Sequence, residues 1–188
     1  MNELIDEALK GNKDAYVLLI NENISDLFKI ASARLDNIED INDAINETIL
    51  KSYKNLKKLE HKEYFKTWII KILINECNII YNDNSKQLDI AKKIAKNKEY
   101  KFFENTTSKV DSKLDFESLL ATLSYDEKII VVLYYNNKYT TSEIADILGE
   151  NVNTIKTRLF RAKAKIKNDC KGGIKLWVKI VNLMRLII

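Results

Sequence analysis

The chain contains no proline and only four glycines, Gly11, Gly149, Gly172 and Gly173. Sheets reverse direction about every eight to twelve residues, and their turns draw on those two residue types. A chain of 188 residues with so few of them is expected to be all-α. The hydrophobic periodicity agrees. In Asp36–Lys54 the apolar set Ile38, Ile41, Ala44/Ile45 and Ile49 repeats at helical spacing, and Asp36 with Glu39 offers an N-cap. The opposite face carries Asp40, Asp43 and Glu47, then Lys51 and Lys54. A second helix is expected from about Lys62 to Tyr81, with Phe65, Trp68/Ile69, Ile72 and Cys77/Ile80 inward. From Asn82 to Ser112 the apolar stripe thins and Asn, Asp, Ser and Lys dominate, which predicts a flexible linker and leaves open a helix around Ile90–Lys101. Two small helical domains, residues 1–85 and 113–171, therefore flank a linker over 86–112, and a tail follows over 172–188.

Composition excludes several classes of function. With 46% hydrophobic and 31% charged residues, the chain is neither disordered nor a multi-span membrane protein. The single histidine, His61, sits among Lys57, Lys58, Glu60, Lys62 and Glu63, a stretch that reads as a solvated loop. No glycine-rich phosphate loop, nucleophile elbow or His/Cys ligand cluster is present, so the expected protein is not an enzyme and needs no cofactor or metal. Cys77 and Cys170 match no metal or redox spacing and read as free thiols. The first thirty residues have no uninterrupted apolar stretch behind a basic start, which predicts a cytoplasmic protein.

Charge is segregated. Residues 1–50 net −7, residues 51–109 net +7, residues 110–151 net −5 and residues 152–188 net +9. Alternating blocks of this kind predict a polyanion on the basic surfaces and a different partner on the acidic ones.

The second domain has the clearest punctuation. Ser124 with Glu127 and Thr140 with Glu143 are capping boxes, after a short helix expected at Leu114–Leu123. Gly149 supplies a left-handed stop after Leu148, and Asn151 caps a last helix running to about Lys167. Two helices around that turn make a helix-turn-helix. In the last helix Ile155, Leu159, Ala162 and Ile166 form the core stripe, which turns Asn153, Lys156, Thr157, Phe160, Arg161 and Ala164 outward. An outward phenylalanine between two cations suits a thymine methyl flanked by guanine edges or phosphates in the major groove.

The stretch Leu123–Ile166, with TTSEIADILG and NTIKTRLFRAKAKI, resembles the promoter −35 binding domain of extracytoplasmic-function (ECF) RNA polymerase sigma factors. INDAINETILKSY (Ile41–Tyr53) and FKTWIIKILIN (Phe65–Asn75) are similar to the domain of the same family that binds the polymerase clamp and the −10 element. The resemblance implies a sigma factor that binds core RNA polymerase and directs initiation at a small regulon. It also implies an anti-sigma partner, which could hold the chain at the membrane. By the same resemblance, Asp40, Asp43, Asn46 and Glu47 form the polymerase-binding face, with Asn46 where the family usually has Gln. Lys66, Lys71 and Asn75 are the −10 contacts. Asn153, Thr154, Lys156, Thr157, Arg158, Phe160, Arg161 and Lys163 are the −35 contacts, Arg158 near phosphate. Trp68 matches a family tryptophan expected mostly in the core. The loop Asn55–Glu63, where the family captures a flipped base, has no recognisable match, and the family's basic run after the helix is here Ile79, Ile80, Tyr81, Asn82, Asp83. The alternative from another class is a stand-alone helix-turn-helix regulator whose first half senses a ligand or dimerises.

The tail Ile174–Ile188 holds eleven apolar residues and a narrow polar stripe of Lys175, Lys179, Asn182 and Arg185. It is too short and too charged to span a bilayer. A membrane interface, a partner's groove and the second domain all remain open as its resting place.

Overall fold

The computed structural model describes residues 2–95 and 122–169, and every regular element in those residues is helical. Five α-helices form the first module: α1 (Asn2–Leu9), α2 (Lys13–Asn21), α3 (Ile24–Ser32), α4 (Ile38–Asn55) and α5 (Phe65–Ala95). Two single 3₁₀ turns, Leu56–Lys58 and Lys62–Tyr64, carry the chain from α4 to α5. The second module has α6 (Tyr125–Tyr135), α7 (Thr141–Leu148) and α8 (Val152–Asp169). The predicted linker beyond residue 95, the predicted helix at Leu114–Leu123 up to residue 121, Cys170 and the apolar tail lie outside the described residues.

The first core is built where α4 and α5 pack together and α3 closes on both. Leu27, Ile30, Ala44, Phe65, Ile69, Leu73 and Cys77 are all buried there. Cys77 is a free thiol, and burial pushes it up to about 12, so it stays protonated. Two hydroxyls inside are paired. The Thr48 hydroxyl donates to the Ala44 carbonyl at 2.6 Å, and the Tyr16 hydroxyl donates to the Ile49 carbonyl at 2.7 Å beside Ser52. The Tyr16 bonds tie α2 to α4, while Asn23 Oδ1 and Arg34 Nε are buried with no hydrogen-bond partner.

Two boundaries differ from the sequence reading. The cap of α4 is Asn37, not Asp36: its extended backbone lets Oδ1 accept from the Glu39 N–H at 3.0 Å. More consequentially, α5 does not end near Tyr81 but runs through the expected domain boundary at 85 to Ala95. Asn82–Ala95 has lost the apolar stripe, yet it contains neither proline nor glycine, and Lys, Gln, Leu and Ala sustain a helix once one has been nucleated.

The second module follows its punctuation closely. The Ser124 N–H donates to Glu127 Oε2 at 2.8 Å while Ser124 Oγ accepts from the Glu127 N–H, and Thr140 and Glu143 repeat the arrangement. Gly149 ends α7 with φ +67°, and Asn151 Oδ1 accepts from the Asn153 N–H at 2.8 Å to open α8. Ile129, Ile130 and Leu133 of α6, Ile144 of α7 and Ile155, Leu159, Ala162 and Ile166 of α8 make the core.

The modules also touch each other. α5 packs on α7 and α3 on α6. The Arg34 guanidinium, almost fully buried, lies 4.1 Å over the Tyr125 ring and reaches Asp126 Oδ1 at 3.4 Å.

Candidate nucleic-acid interface

The second module presents one strongly cationic face, and α8 builds it. With the core stripe turned inward, Asn153, Lys156, Thr157, Arg161 and Ala164 are exposed and Phe160 is 73% exposed. A phenylalanine left this open has no packing role, and the cations either side of it face solvent. Thr154 is half-buried beside them.

Two of the expected contacts are already engaged. Arg158 is half-buried, its Nη1 donating to Glu150 Oε1 at 2.7 Å and Oε2 at 2.8 Å and lying 3.5 Å from Asp126. It fastens α8 to the turn before it and to the start of α6. Lys163 lies with Nζ 4.7 Å from the centre of the Tyr134 ring and 5.6 Å from that of Tyr135. Lys165 donates to the buried Glu127 at 2.7 Å. Burial alone would raise the Glu127 carboxyl, but Lys165 and the Ser124 groups outweigh it and hold the carboxyl below its usual value.

In the first module, Lys66, Lys71 and Asn75 are all exposed on α5, but they do not share one face. At about 100° per residue Lys71 and Asn75 fall roughly 40° apart, whereas Lys66 lies roughly 140° away. Lys66 instead donates to Asp26 of α3 at 2.9 Å.

Lys71 belongs to something the sequence did not announce. It lines an open cleft of about 440 Å³ with Lys58, Glu60, His61, Tyr64 and Trp68 of the first module and Asp146 of the second. The His61 and Tyr64 rings meet edge to face at 5.9 Å, and Trp68, half-buried beside Phe65, turns its remaining surface into the same space. Aromatic walls suit an unstacked base, and Lys58 and Lys71 suit its backbone phosphates against the opposing carboxylates of Glu60 and Asp146. The loop Asn55–Glu63, expected to be solvated and without a match, thus forms one wall. The signal in the sequence was the aromatic series His61, Tyr64, Trp68, whose spacing only the 3₁₀ turn at Lys62–Tyr64 brings to one side.

The acidic face of α4 is separate from both. Among the described residues Asp43 and Asn46 are exposed and make no side-chain hydrogen bond or ion pair, while Asp40 accepts from Asn84 at 2.8 Å and Glu47 lies 3.7 Å from Lys51. Leu50, 52% exposed, continues the Asp43–Asn46/Glu47 row one turn on. Acid and exposed leucine together suit a protein surface better than nucleic acid.

Comparison with known proteins finds one family match in each module. Residues 19–85 match the family model "Sigma-70 region 2" and residues 113–166 match "Sigma-70, region 4". The chain is 28% identical over 150 residues to RNA polymerase sigma factor SigV of Bacillus subtilis, covering 80% of this chain and 87% of that one. It is 22% identical over 175 residues to the ECF RNA polymerase sigma-E factor of Haemophilus influenzae, covering 88% and 92%. Its fold is similar to CnrH solved with the cytosolic domain of CnrY (TM-score 0.63, 20% identity, 88% and 93% covered). It is also similar to the sigma factor RpoE solved with the anti-sigma factor NepR from Bartonella quintana (TM-score 0.61, 19% identity, 81% and 94% covered).

Proposed function

The chain belongs to the sigma-70 family, in its ECF class, and from that premise we propose how its surfaces divide the work of promoter recognition. It is a sigma factor: it binds core RNA polymerase and directs initiation, while the polymerase supplies the chemistry. Domain limits near 85 and 113 are supported by the two family matches, although α5 continues past the first of them. The polymerase-binding face is Asp40, Asp43, Asn46 and Glu47, to which we add Leu50. Asp43 and Asn46 make first contact, because Asp40 and Glu47 already have partners within the module.

DNA is read at two places. Lys156, Thr157, Phe160 and Arg161, with Asn153 and Thr154 at the start of α8, enter the major groove at the −35 element. Lys71 and Asn75, with the aromatic cleft, take the −10 strand, and an unstacked base enters between His61, Tyr64 and Trp68. Melting then needs no covalent step, only a surface that holds the open strand better than the duplex does. Lys66, bound to Asp26 on another side of α5, contributes charge rather than contact. Arg158 and Lys163 act through the module's own structure, holding α8 in place.

The observation that carries this reading is the presence in one chain of an acidic, leucine-bearing face and two separate basic faces, one helical and one a cleft. A stand-alone regulator needs no first face, and the match of residues 19–85 leaves that alternative without support. Regulation by an anti-sigma protein is supported by the two structural relatives solved with such partners or a partner's cytosolic domain. The site of action is the cytoplasm, where polymerase is. Among the described residues no helix is long and apolar enough to cross a membrane. The test is co-purification: tagged chain mixed with core polymerase, free of anti-sigma protein, is expected to elute with it in equal amounts. Failure to do so contradicts the reading.

A further inference from the structure

We propose that the N-terminal helical hairpin, α1 with α2, is a brace for the aromatic cleft, and that Asp6, through its ion pair with Lys62, is a positioning residue for the wall that takes an unstacked base. The proposal rests on the assignment of the cleft as the −10 site. Asp6 and Tyr16, by which the hairpin grips the rest of the module, both precede residue 19, where the match to the family model begins. The hairpin is itself well formed. Gly11, at φ +97°, turns the chain, and Asn12 Oδ1 accepts from the N–H groups of Asp14 and Ala15 at 3.0 and 3.2 Å to open α2. Ile5 and Ala8 of α1 and Leu19 of α2 are buried, which seats the hairpin in the core.

It grips both ends of the connection from α4 to α5. At the α4 end the Tyr16 hydroxyl reaches the Ile49 carbonyl and Ser52, and its ring meets that of Tyr53 edge to face at 4.9 Å. At the α5 end α1 packs on the 3₁₀ turn Lys62–Tyr64, and Lys62 Nζ donates to Asp6 Oδ1. The neighbouring Glu7 pairs instead with Lys10 at 2.8 Å. Between the two grips lies the wall of the cleft, with Lys58, Glu60, His61 and Tyr64. That stretch has little to hold its own shape. Its 3₁₀ turns are three residues each, closed by the Leu59 N–H on the Leu56 carbonyl at 3.0 Å and the Tyr64 N–H on the His61 carbonyl at 3.1 Å. His61 and Tyr64 flank Lys62, so the contact of their rings is carried by the turn that Asp6 anchors.

Exposure and charge separate positioning from the other roles open to this pair. The Asp6 and Lys62 side chains are 45% and 41% exposed, and ion pairs so open to water add little to the stability of a fold. The sign of the effect also opposes simple electrostatics. Removing a carboxylate and freeing a lysine at the edge of the cleft would, by charge alone, favour a DNA strand. Loss of a brace disfavours it, because an unbraced wall holds its receptive shape only part of the time and the apparent affinity falls by that fraction.

The test titrates a labelled randomised single-stranded oligonucleotide with holoenzyme. Asp6→Ala should weaken binding about fivefold, as expected if the receptive wall is then populated about a fifth of the time. The exchanged pair, Asp6→Lys with Lys62→Asp, should bind within about twofold of wild type, because the ion pair is restored with its ends reversed. Both variants should still co-purify with core polymerase in equal amounts, with melting midpoints within about 3 °C of wild type. In the free chain with Trp177→Phe, where Trp68 is the one tryptophan left, acrylamide should quench Trp68 more strongly in Asp6→Ala, and the exchanged pair should reverse the change. Unchanged or tighter strand binding by Asp6→Ala overturns the brace, as does an exchanged pair that binds no better than the single change. An equal loss of polymerase binding also overturns it, since the hairpin would then act on the fold as a whole. Should Asp6→Ala lose helicity, Lys62→Met replaces it in the quenching measurement, and quenching equal to wild type there overturns the brace. Failure of the cleft assignment looks different: wild-type holoenzyme then binds the strand no better than core polymerase, and the role of Asp6 falls with it.

Discussion

Arg158 and Arg161 stand three residues apart on one helix, and the resemblance makes both of them −35 contacts, Arg161 at a base and Arg158 near phosphate. What separates them is tertiary. Glu150, eight positions before Arg158, and Asp126, on another helix, meet the first and not the second. Arg161→Ala should therefore leave stability within about 0.5 kcal/mol and cost about 1–3 kcal/mol on the preferred −35 sequence, with far less lost on scrambled DNA. Arg158→Ala should do the reverse, lowering the stability of the second module by about 1 kcal/mol in urea denaturation and weakening every DNA sequence alike. Phe160→Ala, at a residue 73% exposed, should unfold nothing. The core stripe beneath these residues was legible because Ile155, Leu159, Ala162 and Ile166 satisfy a local rule. The fate of a cation depends on which carboxylate the fold delivers to it, and no spacing records that.

Among the elements, those with capping boxes were the most legible, since a cap is a contact between residues three apart. The caps also set a pH dependence. Glu143 is held below the ordinary carboxyl value by the Thr140 N–H and hydroxyl, and Glu127 by Lys165 and Ser124 against the opposing effect of burial. A carboxyl lowered in the folded state contributes stability above its unfolded value, near 4.5, and loses it as the pH falls through the folded value. The second module should thus weaken progressively below about pH 4.5, and Glu143→Gln should flatten that acid limb in circular dichroism melts. The length of α5 was less legible, because a lost apolar stripe looks like a helix end when only the missing stop signals say otherwise. Least legible was the cleft, assembled from a 3₁₀ turn, a loop and a helix. On α4, the double change Asp43→Lys, Glu47→Lys should abolish polymerase co-purification while changing stability by less than about 0.5 kcal/mol, because neither side chain is in the core. Loss of helicity in that variant would mean that the face has been turned the wrong way.

Across the whole molecule, the alternating charge blocks resolve into three surfaces with different partners. The acidic block of the first fifty residues includes α4, the lysines that follow rim the cleft, and the last basic block supplies α8. The sequence predicted two modules acting through a linker but not that they rest against each other, since Arg34, Tyr81 and Tyr125 are far apart in the chain and unremarkable where they stand. Two-site reading by one chain is the central claim, and transcription from a randomised promoter library tests it most directly. Holoenzyme reconstituted with this chain should select transcripts preceded by two short sequence blocks at a fixed separation. Arg161→Ala should degrade only the upstream block, and Tyr64→Ala, in the cleft, only the downstream one. Selection of the same start sites by core polymerase alone, or equal loss of both blocks in either variant, would contradict the account.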